Sequence, residues 1–577
     1  MKQQIKSLLV LSLLLSVLTP AYGQLPYLKK EGKNTQFIVD GKPFIVLAGE
    51  LYNSSSSSVE YLNSIWDKMS ELNMNTIIGT SSWELIEPEE GKYNFKEIDA
   101  ILEGARAHNM KVMLLWLASW KNSSSPYVPE WVKKNQKKYP LVVARDGSSL
   151  NILSAFHETN RKADEKAYLA LLKHIKEVDY DNTFIMMQVE NEVGILGAER
   201  DYSPTAEKAW KGQVPADLID YLQKNKGKLS PELEKVWREN GYKTKGNWEE
   251  IFGKSIYPDD YDPDNSGYRA RGRDPRFFDT YYGYTEELFM AYHYAKYIGQ
   301  IAKAGKEVHN VPTYVNAWLR QPTGSIPGHF PSGGPTPETF DMWRAAAPAI
   351  DLYAPDIYIE EFDWVLNEYS RLGNPIFIPE CTMTSSKALY AYGEYDAIGY
   401  GPFGIDGPGR HTDEDFEHVA NTYKVLSNMN DIIVAHHGSD KMRGLMIDNK
   451  NPEHTIEMGD YIITATSSTR KKVFNYGQSL EQMTAEEIAL ARARAEEFTG
   501  GAIVFQTGKD EFMFVGYGLY LNFKHKDPSI KVRVASKDEG TFINNEFVRG
   551  RRLNGDEGGR GLGEQTGALK VRLYHYD

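Results

Sequence analysis

One cysteine in 577 residues, Cys381, leaves no partner for an internal disulfide and no thiolate cluster for a metal. A catalytic thiol would need a base and an electropositive neighbourhood, and neither stands near Cys381 in the sequence, so it reads as a packed residue. The 13 histidines form no His-Glu-x-x-His pair, and His436 and His437 are adjacent, so in a strand their side chains point apart. A Gly-x-Ser-x-Gly elbow and a Walker loop are both missing. The glycine-rich stretch 555–567 lacks the feeding strand and the spacing of a dinucleotide fingerprint and reads as a mobile surface loop. No metal or cofactor is therefore expected. Long basic runs are absent too. With 66 Lys+Arg against 79 Asp+Glu the net charge is −13, which excludes binding driven by a phosphate backbone and so any nucleic-acid partner. Beyond the N-terminus no apolar stretch approaches the ~20 residues of a membrane span. Tryptophan is missing from the tail, since all 11 lie at or before Trp364.

The chain is well above the ~250 residues of one (β/α) barrel domain. Its 41% hydrophobic and 25% charged residues are those of a packed, multi-domain protein handling an uncharged or mildly charged ligand. At the start, Lys2 and Lys6 precede an apolar run, Leu8 to Leu18, then Thr19-Pro20-Ala21-Tyr22-Gly23. That is an export signal over 1–23, cut after Gly23, and it predicts a periplasmic or secreted protein without membrane insertion.

Short apolar runs alternate with amphipathic stretches. Strands are expected at Phe44–Gly49, Asn75–Ser81, Lys111–Ala118, Thr183–Val189, Val311–Val315, Ile350–Ala354, Pro375–Ile378 and Ala397–Phe403, with helices such as Tyr61–Leu72, Phe95–His108, Asp164–Val178 and Thr285–Ala304. Eight alternations predict an α/β fold, a (β/α)8 TIM barrel over 24–430, with a polar, Tyr- and Trp-bearing insertion at about 197–280 over its mouth. From 431 to 577 the pattern becomes β-rich and sandwich-like, with strands at Asp460–Ala465, Ala502–Thr507, Phe512–Gly516, Ile530–Val534 and Lys570–Tyr574. A capping box, Thr484-Ala485-Glu486-Glu487, opens one helix there, to about Phe498. Without tryptophan this tail reads as a supporting module.

Two apolar strands end abruptly in acid: Thr183 to Val189 runs into Glu190-Asn191-Glu192, and Pro375 to Pro379 into Glu380. A barrel of parallel strands builds its active site at the C-terminal strand ends, and strands four and seven lie roughly opposite across that mouth. If the two acids meet, they suit glycoside hydrolysis, with one protonating the leaving oxygen and the other attacking the anomeric carbon. Retention requires about 5–5.5 Å between them and inversion about 6.5–9.5 Å. Alternation puts Gln188, Glu190 and Glu192 on one side, and Glu190 is assigned a supporting role. Trp83, Trp116, Trp120, Trp318 and Tyr358 fall at or just past expected strand ends, where rings stack on sugars, while Asn122 and Asn316 are placed to read hydroxyls.

Gln188-Val189-Glu190-Asn191-Glu192-Val193-Gly194 resembles the acid/base segment of glycoside hydrolase family 35, the β-galactosidases of the large retaining barrel clan. Gly49-Glu50-Leu51-Tyr52 is similar to that family's first-strand motif. Trp83-Glu84-Leu85-Ile86-Glu87-Pro88 and Gly91-Lys92-Tyr93-Asn94-Phe95 are similar to the clan's second-strand segment, and Gly501 to Gln506 to the β-rich C-terminal module of a bacterial branch. The resemblance implies Glu192 as general acid/base, Glu380 as nucleophile, and Asn191 and Glu50 among the sugar-binding residues. It departs at Val193, where many relatives carry an aromatic. It departs again at Trp116-Leu117-Ala118-Ser119-Trp120-Lys121-Asn122, which replaces a Gly-Pro-Tyr-containing segment that helps bind the terminal sugar. The implied activity is a retaining exo-β-galactosidase acting on galactosylated oligo- or polysaccharide side chains such as xyloglucan. The alternatives are another β-glycosidase specificity of the clan (glucan, mannan or arabinose) or a non-catalytic glycan-binding protein.

Overall fold

The computed structural model describes residues 24–32, 34–257, 284–320, 326–407, 411–468 and 499–576. The expected export segment, the expected helix from Thr484 and the end of the expected insertion lie outside the described residues. Eight parallel strands close into a barrel: β1 (Val46–Glu50), β2 (Thr76–Ser82), β3 (Lys111–Lys121), β4 (Phe184–Asn191), β5 (Thr313–Trp318), β6 (Leu352–Ile357), β7 (Phe377–Cys381) and β8 (Gly399–Pro402). β8 closes onto β1 through Gly399 opposite Val46 and Tyr400 opposite Leu47. Val46, Ala48, Ile78, Met113, Leu115, Met186, Tyr314, Leu352, Ala354 and Phe377 belong to one buried cluster, the filled interior of the barrel. The intervening side chains pack outward on helices. In α1 (Val59–Glu71), Ser58 caps the N-terminus by accepting from the Tyr61 N–H, and Leu62, Ile65, Trp66 and Met69 form the buried stripe. Further round the barrel lie α2 (Lys96–Ala107), α3 (Glu158–Val178), α4 (Thr285–Val308), α5 (Phe340–Ala346), α6 (Phe362–Ser370) and α7 (Ser385–Tyr395).

All eight expected barrel strands are present in the expected order, as a TIM barrel requires. Seven of them run further than the apolar pattern does: β3 ends at Lys121 rather than Ala118, β4 at Asn191 rather than Val189, β6 at Ile357 rather than Ala354, β7 at Cys381 rather than Ile378. Between β4 and α4, helices Pro204–Lys211, Ala216–Lys224, Pro231–Glu239 and Trp248–Phe252 fill the described part of the insertion. They do not present aromatics to the mouth. Trp210 and Trp248 pack edge-on against Phe289 of α4, and the Tyr221 hydroxyl donates to Asp341 of α5 at 2.7 Å.

The C-terminal strands are β9 (Met442–Ile447), β10 (Glu453–Met458), β11 (Tyr461–Ser467), β12 (Gly500–Gly508), β13 (Glu511–Tyr517), β14 (Leu519–His525), β15 (Lys531–Ile543), β16 (Glu546–Arg552) and β17 (Gly567–Tyr576). They form a six-stranded sheet in the order β9-β12-β13-β17-β15-β16 and a three-stranded sheet β10-β11-β14, around a core that includes Leu445, Ile463, Phe512, Phe514 and Val571. β9, β10 and β16 lack a clear apolar alternation and are not among the expected strands; β14 alternates through Leu519, Leu521 and Phe523 and is not among them either. The larger sheet lies directly on α7, the helix that follows β7. Arg443 of β9 grips Glu394 with Nη2 at 2.8 Å and Nε at 2.9 Å. A Cβ on Gly444 would lie 2.8 Å from the Tyr390 ring, and one on Gly501 would lie 2.8 Å from the Ser386 Cα. Gly444→Val should therefore overpack this seam, destabilise by about 1–3 kcal/mol and lower the thermal midpoint; an unchanged midpoint would show that the seam is loose.

Candidate active site

The end of β4 departs from ordinary strand geometry. Glu190 (φ 64°) and Glu192 (φ 43°) both adopt the left-handed region, unusual for residues with a Cβ and costing about 1–3 kcal/mol apiece. Hydrogen bonds hold them there: Gln188 Nε2 donates to the Glu190 carbonyl at 3.0 Å, Ser123 N–H to the Glu192 carbonyl at 3.1 Å, and Glu192 N–H to Asn316 Oδ1 at 2.9 Å. Asn316, on β5, donates through its other amide atom to Asp356 Oδ2 at 2.6 Å. One side chain thus ties together the ends of β4, β5 and β6.

This turn delivers Glu192 to the mouth, where one carboxylate oxygen each from Glu192, Asp356 and Glu380 lie within 4.8 Å of one another. Asp356 and Glu380 are paired in register on β6 and β7. The Tyr358 hydroxyl donates to Glu380 Oε1 at 2.7 Å, while Glu380 Oε2 is buried without a protein partner. Both polar atoms of the Asn191 side chain are likewise buried and unpartnered. Glu50, at the end of β1, is buried nearby and acts electrostatically on Asp356. Opposite Asn191 in register stands Lys121, the last residue of β3 and only 7% exposed.

Charge balance governs such a pocket. Burial, then the Glu380 charge, push the Glu192 carboxyl up to about 7, against a smaller pull downward from Lys121. Asp356 is held well above the ordinary carboxyl range by burial and by Glu380, Glu192 and Glu50. For Lys121 burial opposes the charge, but Glu380, Glu192, Glu50 and Asp356 together outweigh it, so the ammonium holds its proton more firmly than usual. Glu192, Asp356 and Glu380 also form the group, among the described residues, with ligand atoms close enough to share a cation. Lys121 already supplies positive charge there, and retained protons on Glu192 and Asp356 reduce the demand for more.

Other residues singled out in the sequence fall elsewhere. Trp83, Trp116 and Trp120 are not sugar platforms: each is fully buried, with its indole N–H spent on Glu87, Asp164 and the Leu153 carbonyl respectively. Outward-facing strand residues meet the helix layer, and Trp120 packs edge-on against Tyr294 and Tyr297 of α4. Asn122 is an exposed left-handed turn residue, and Asn316 spends both amide atoms on Glu192 and Asp356 rather than on a ligand. Trp318, half-buried, and Tyr358, 39% exposed, keep accessible surface at the ends of β5 and beyond β6. Cys381 is packed, its thiol pushed up to about 12 by burial. Sequence reading missed Lys121 and Asp356, although each is a charged residue ending an apolar strand, the signal that singled out Glu192 and Glu380.

Residues 51–262 match the glycoside hydrolase family 42 model, described as β-galactosidase, and residues 419–563 match a domain of unknown function, DUF5597. The expected family 35 is thus not the family that the match supports. The chain is 28% identical over 177 residues to a β-galactosidase of Xanthomonas manihotis, covering 30% of this chain and 27% of that one. It is 27% identical over 194 residues to the β-galactosidase LacZ of Lactobacillus acidophilus, covering 32% and 25%. The chain therefore spans about a quarter of the length of these relatives. Among solved structures, a β-galactosidase from Rahnella sp. R3 aligns with TM-score 0.43 at 16% identity over 68% of this chain and 57% of that one. A β-1,4-D-mannanase from Cryptopygus antarcticus aligns with TM-score 0.39 at 11% identity over 69% and 95%. The matched segment 51–262 contains Lys121, Asn191 and Glu192, whereas Asp356, Tyr358 and Glu380 reach the site through the fold alone.

Because a nearby cation favours the carboxylate form, Lys121→Met should raise the proton affinity of Glu192 above its midpoint of about 7. Carbon-13 NMR titration of labelled glutamates reads this directly. A midpoint that stays put or falls would show that Lys121 does not act on Glu192.

Proposed function

We propose that this protein is a retaining exo-β-galactosidase, exported from the cell, that releases terminal galactose from glycan side chains. The observation that carries the reading is the approach of Glu192 and Glu380, with carboxylate oxygens within 4.8 Å. That suits the ~5–5.5 Å of double displacement better than the ~6.5–9.5 Å of inversion. Glu380, oriented by Tyr358 through Oε1, attacks the anomeric carbon with its bare Oε2 while Glu192 gives its proton to the leaving oxygen. Glu192, now ionised, then takes a proton from the water that releases the sugar. A midpoint of about 7 suits a group that must act first as acid and then as base near neutrality. Asn191 offers an unpartnered amide to a sugar hydroxyl. The burial of Glu192, Glu380, Asp356 and Glu50 favours a pocket closed around one terminal sugar over an open cleft.

The galactose preference is supported by the match of 51–262 to a β-galactosidase family model. Galactosylated side chains such as those of xyloglucan are the substrate we propose, because a pocket closed around one terminal sugar suits removal of a chain-end galactose. The basic, apolar, small-residue pattern of residues 1–23 supports export.

Proton NMR during hydrolysis of an aryl β-galactoside should show the β anomer of galactose appearing first; initial α anomer would refute double displacement. Glu380→Gln should lower turnover by about three or more orders of magnitude with the fold retained. Glu192→Ala should slow natural galactosides by about 10²–10⁴-fold yet leave the first step on activated aryl galactosides much less affected. Equal losses on both substrates would remove the acid role. Galactose release from xyloglucan oligosaccharides, compared with other galactosylated glycans, tests the substrate.

A further inference from the structure

Behind the pocket lies a second pair of acids. Glu190 points away from Glu192, and its two carboxylate oxygens accept the backbone N–H groups of Ser119 (3.1 Å) and Trp120 (2.7 Å) on β3. Asp164, on α3, accepts from the Trp116 indole at 2.8 Å and the Ser119 hydroxyl at 2.5 Å. The two carboxyls face each other across Ser119, and both side chains are fully buried. The titratable groups that bear on them are Tyr168 of α3 and Tyr297 of α4, with Tyr297 3.3 Å from Asp164 and 2.8 Å from the Ser119 hydroxyl. Among the described residues, no cation stands among the groups that act most strongly on this pair.

We propose that Glu190 and Asp164 share one proton and together act as positioning residues: the pair clamps the Ser119–Trp120 backbone to the left-handed end of β4, and so places Lys121 and Glu192 against the substrate. This rests on the glycosidase reading of the front pocket. The clamp reaches both groups within two residues, because Lys121 follows Trp120 and Glu192 follows Glu190 by two. Burial, then mutual repulsion, hold the Glu190 carboxyl well above its ordinary range, in keeping with a proton retained between the two. At high pH the proton leaves, two buried negative charges face each other, and the clamp opens.

An asparagine at 164 carries no proton to share: its oxygen keeps the bond from Trp116 and its amide nitrogen donates to Glu190, while the Ser119 and Tyr297 hydroxyls, which donate to Asp164 Oδ2, turn to accept from that nitrogen or bond each other. Asp164→Asn and Glu190→Ala should be compared with wild type in folded protein, using an activated aryl β-galactoside so that the proton on Glu192 matters little. Glu190→Ala should lose about a hundredfold in kcat with little change in KM. Asp164→Asn should stay within about threefold of wild type near neutrality and lose the alkaline fall in kcat. In infrared spectra at pH 7 the neutral-carboxyl band should be weaker in Asp164→Asn than in wild type. An unchanged carboxyl band with an unchanged alkaline fall in Asp164→Asn would overturn the proposal, as would wild-type kcat in Glu190→Ala. A weakened band in a protein whose wild type cleaves no galactoside would support the shared proton and overturn the glycosidase reading instead.

Discussion

Among the described residues, four carboxyls and the Lys121 ammonium share one buried pocket, and that imbalance of charge sets where its protons sit. Glu50, Glu192, Asp356 and Glu380 cannot all be ionised beside Lys121, because buried like charges repel strongly and solvent does not screen them. Protons therefore stay where the field is most negative, on Asp356 and in part on Glu192. Lys121 sets how far that goes. Its charge opposes the upward push on Glu192 and so limits how firmly that carboxyl holds its proton.

The backbone delivers this arrangement at a conformational cost borne by β4. Two left-handed residues, separated by Asn191, end the strand and present alternate side chains to different surroundings: Glu192 forward to the pocket, Glu190 backward to Ser119 and Trp120. Asn316 holds the Glu192 amide from one side and Asp356 from the other. The residues behind the pocket are thus as exacting in their geometry as the carboxylates they hold.

The barrel was legible in the sequence because its strands are continuous apolar runs, and Glu192 and Glu380 because those runs end in acid. The strand ends were misjudged for one physical reason. Apolar pattern stops where the core stops, whereas backbone pairing continues into the polar residues that build the site, as at Ser119–Lys121 and Glu190–Asn191. Lys121 and Asp356 were lost in that gap. The tryptophans misled for a different reason: all three lie close to the mouth in sequence, but strand alternation turns Trp116 and Trp120 outward onto helices, and Trp83, in the helical turn that follows β2, packs edge-on against Trp131; each indole N–H finds an acceptor there. In the tail, strands exposed on both faces, such as Glu546–Arg552, carry little apolar alternation to read.

The seam between the larger C-terminal sheet and α7 has a consequence for how the chain is divided. α7 begins five residues after Glu380, and the sheet covers it with Ile503, Phe505, Met513 and Val515, which belong to the same buried cluster as Leu389 and Tyr392 of the helix. A barrel cut free near residue 440 would show water a greasy strip directly behind the end of β7. The tail is a structural wall of the barrel, and neither part keeps its full stability alone.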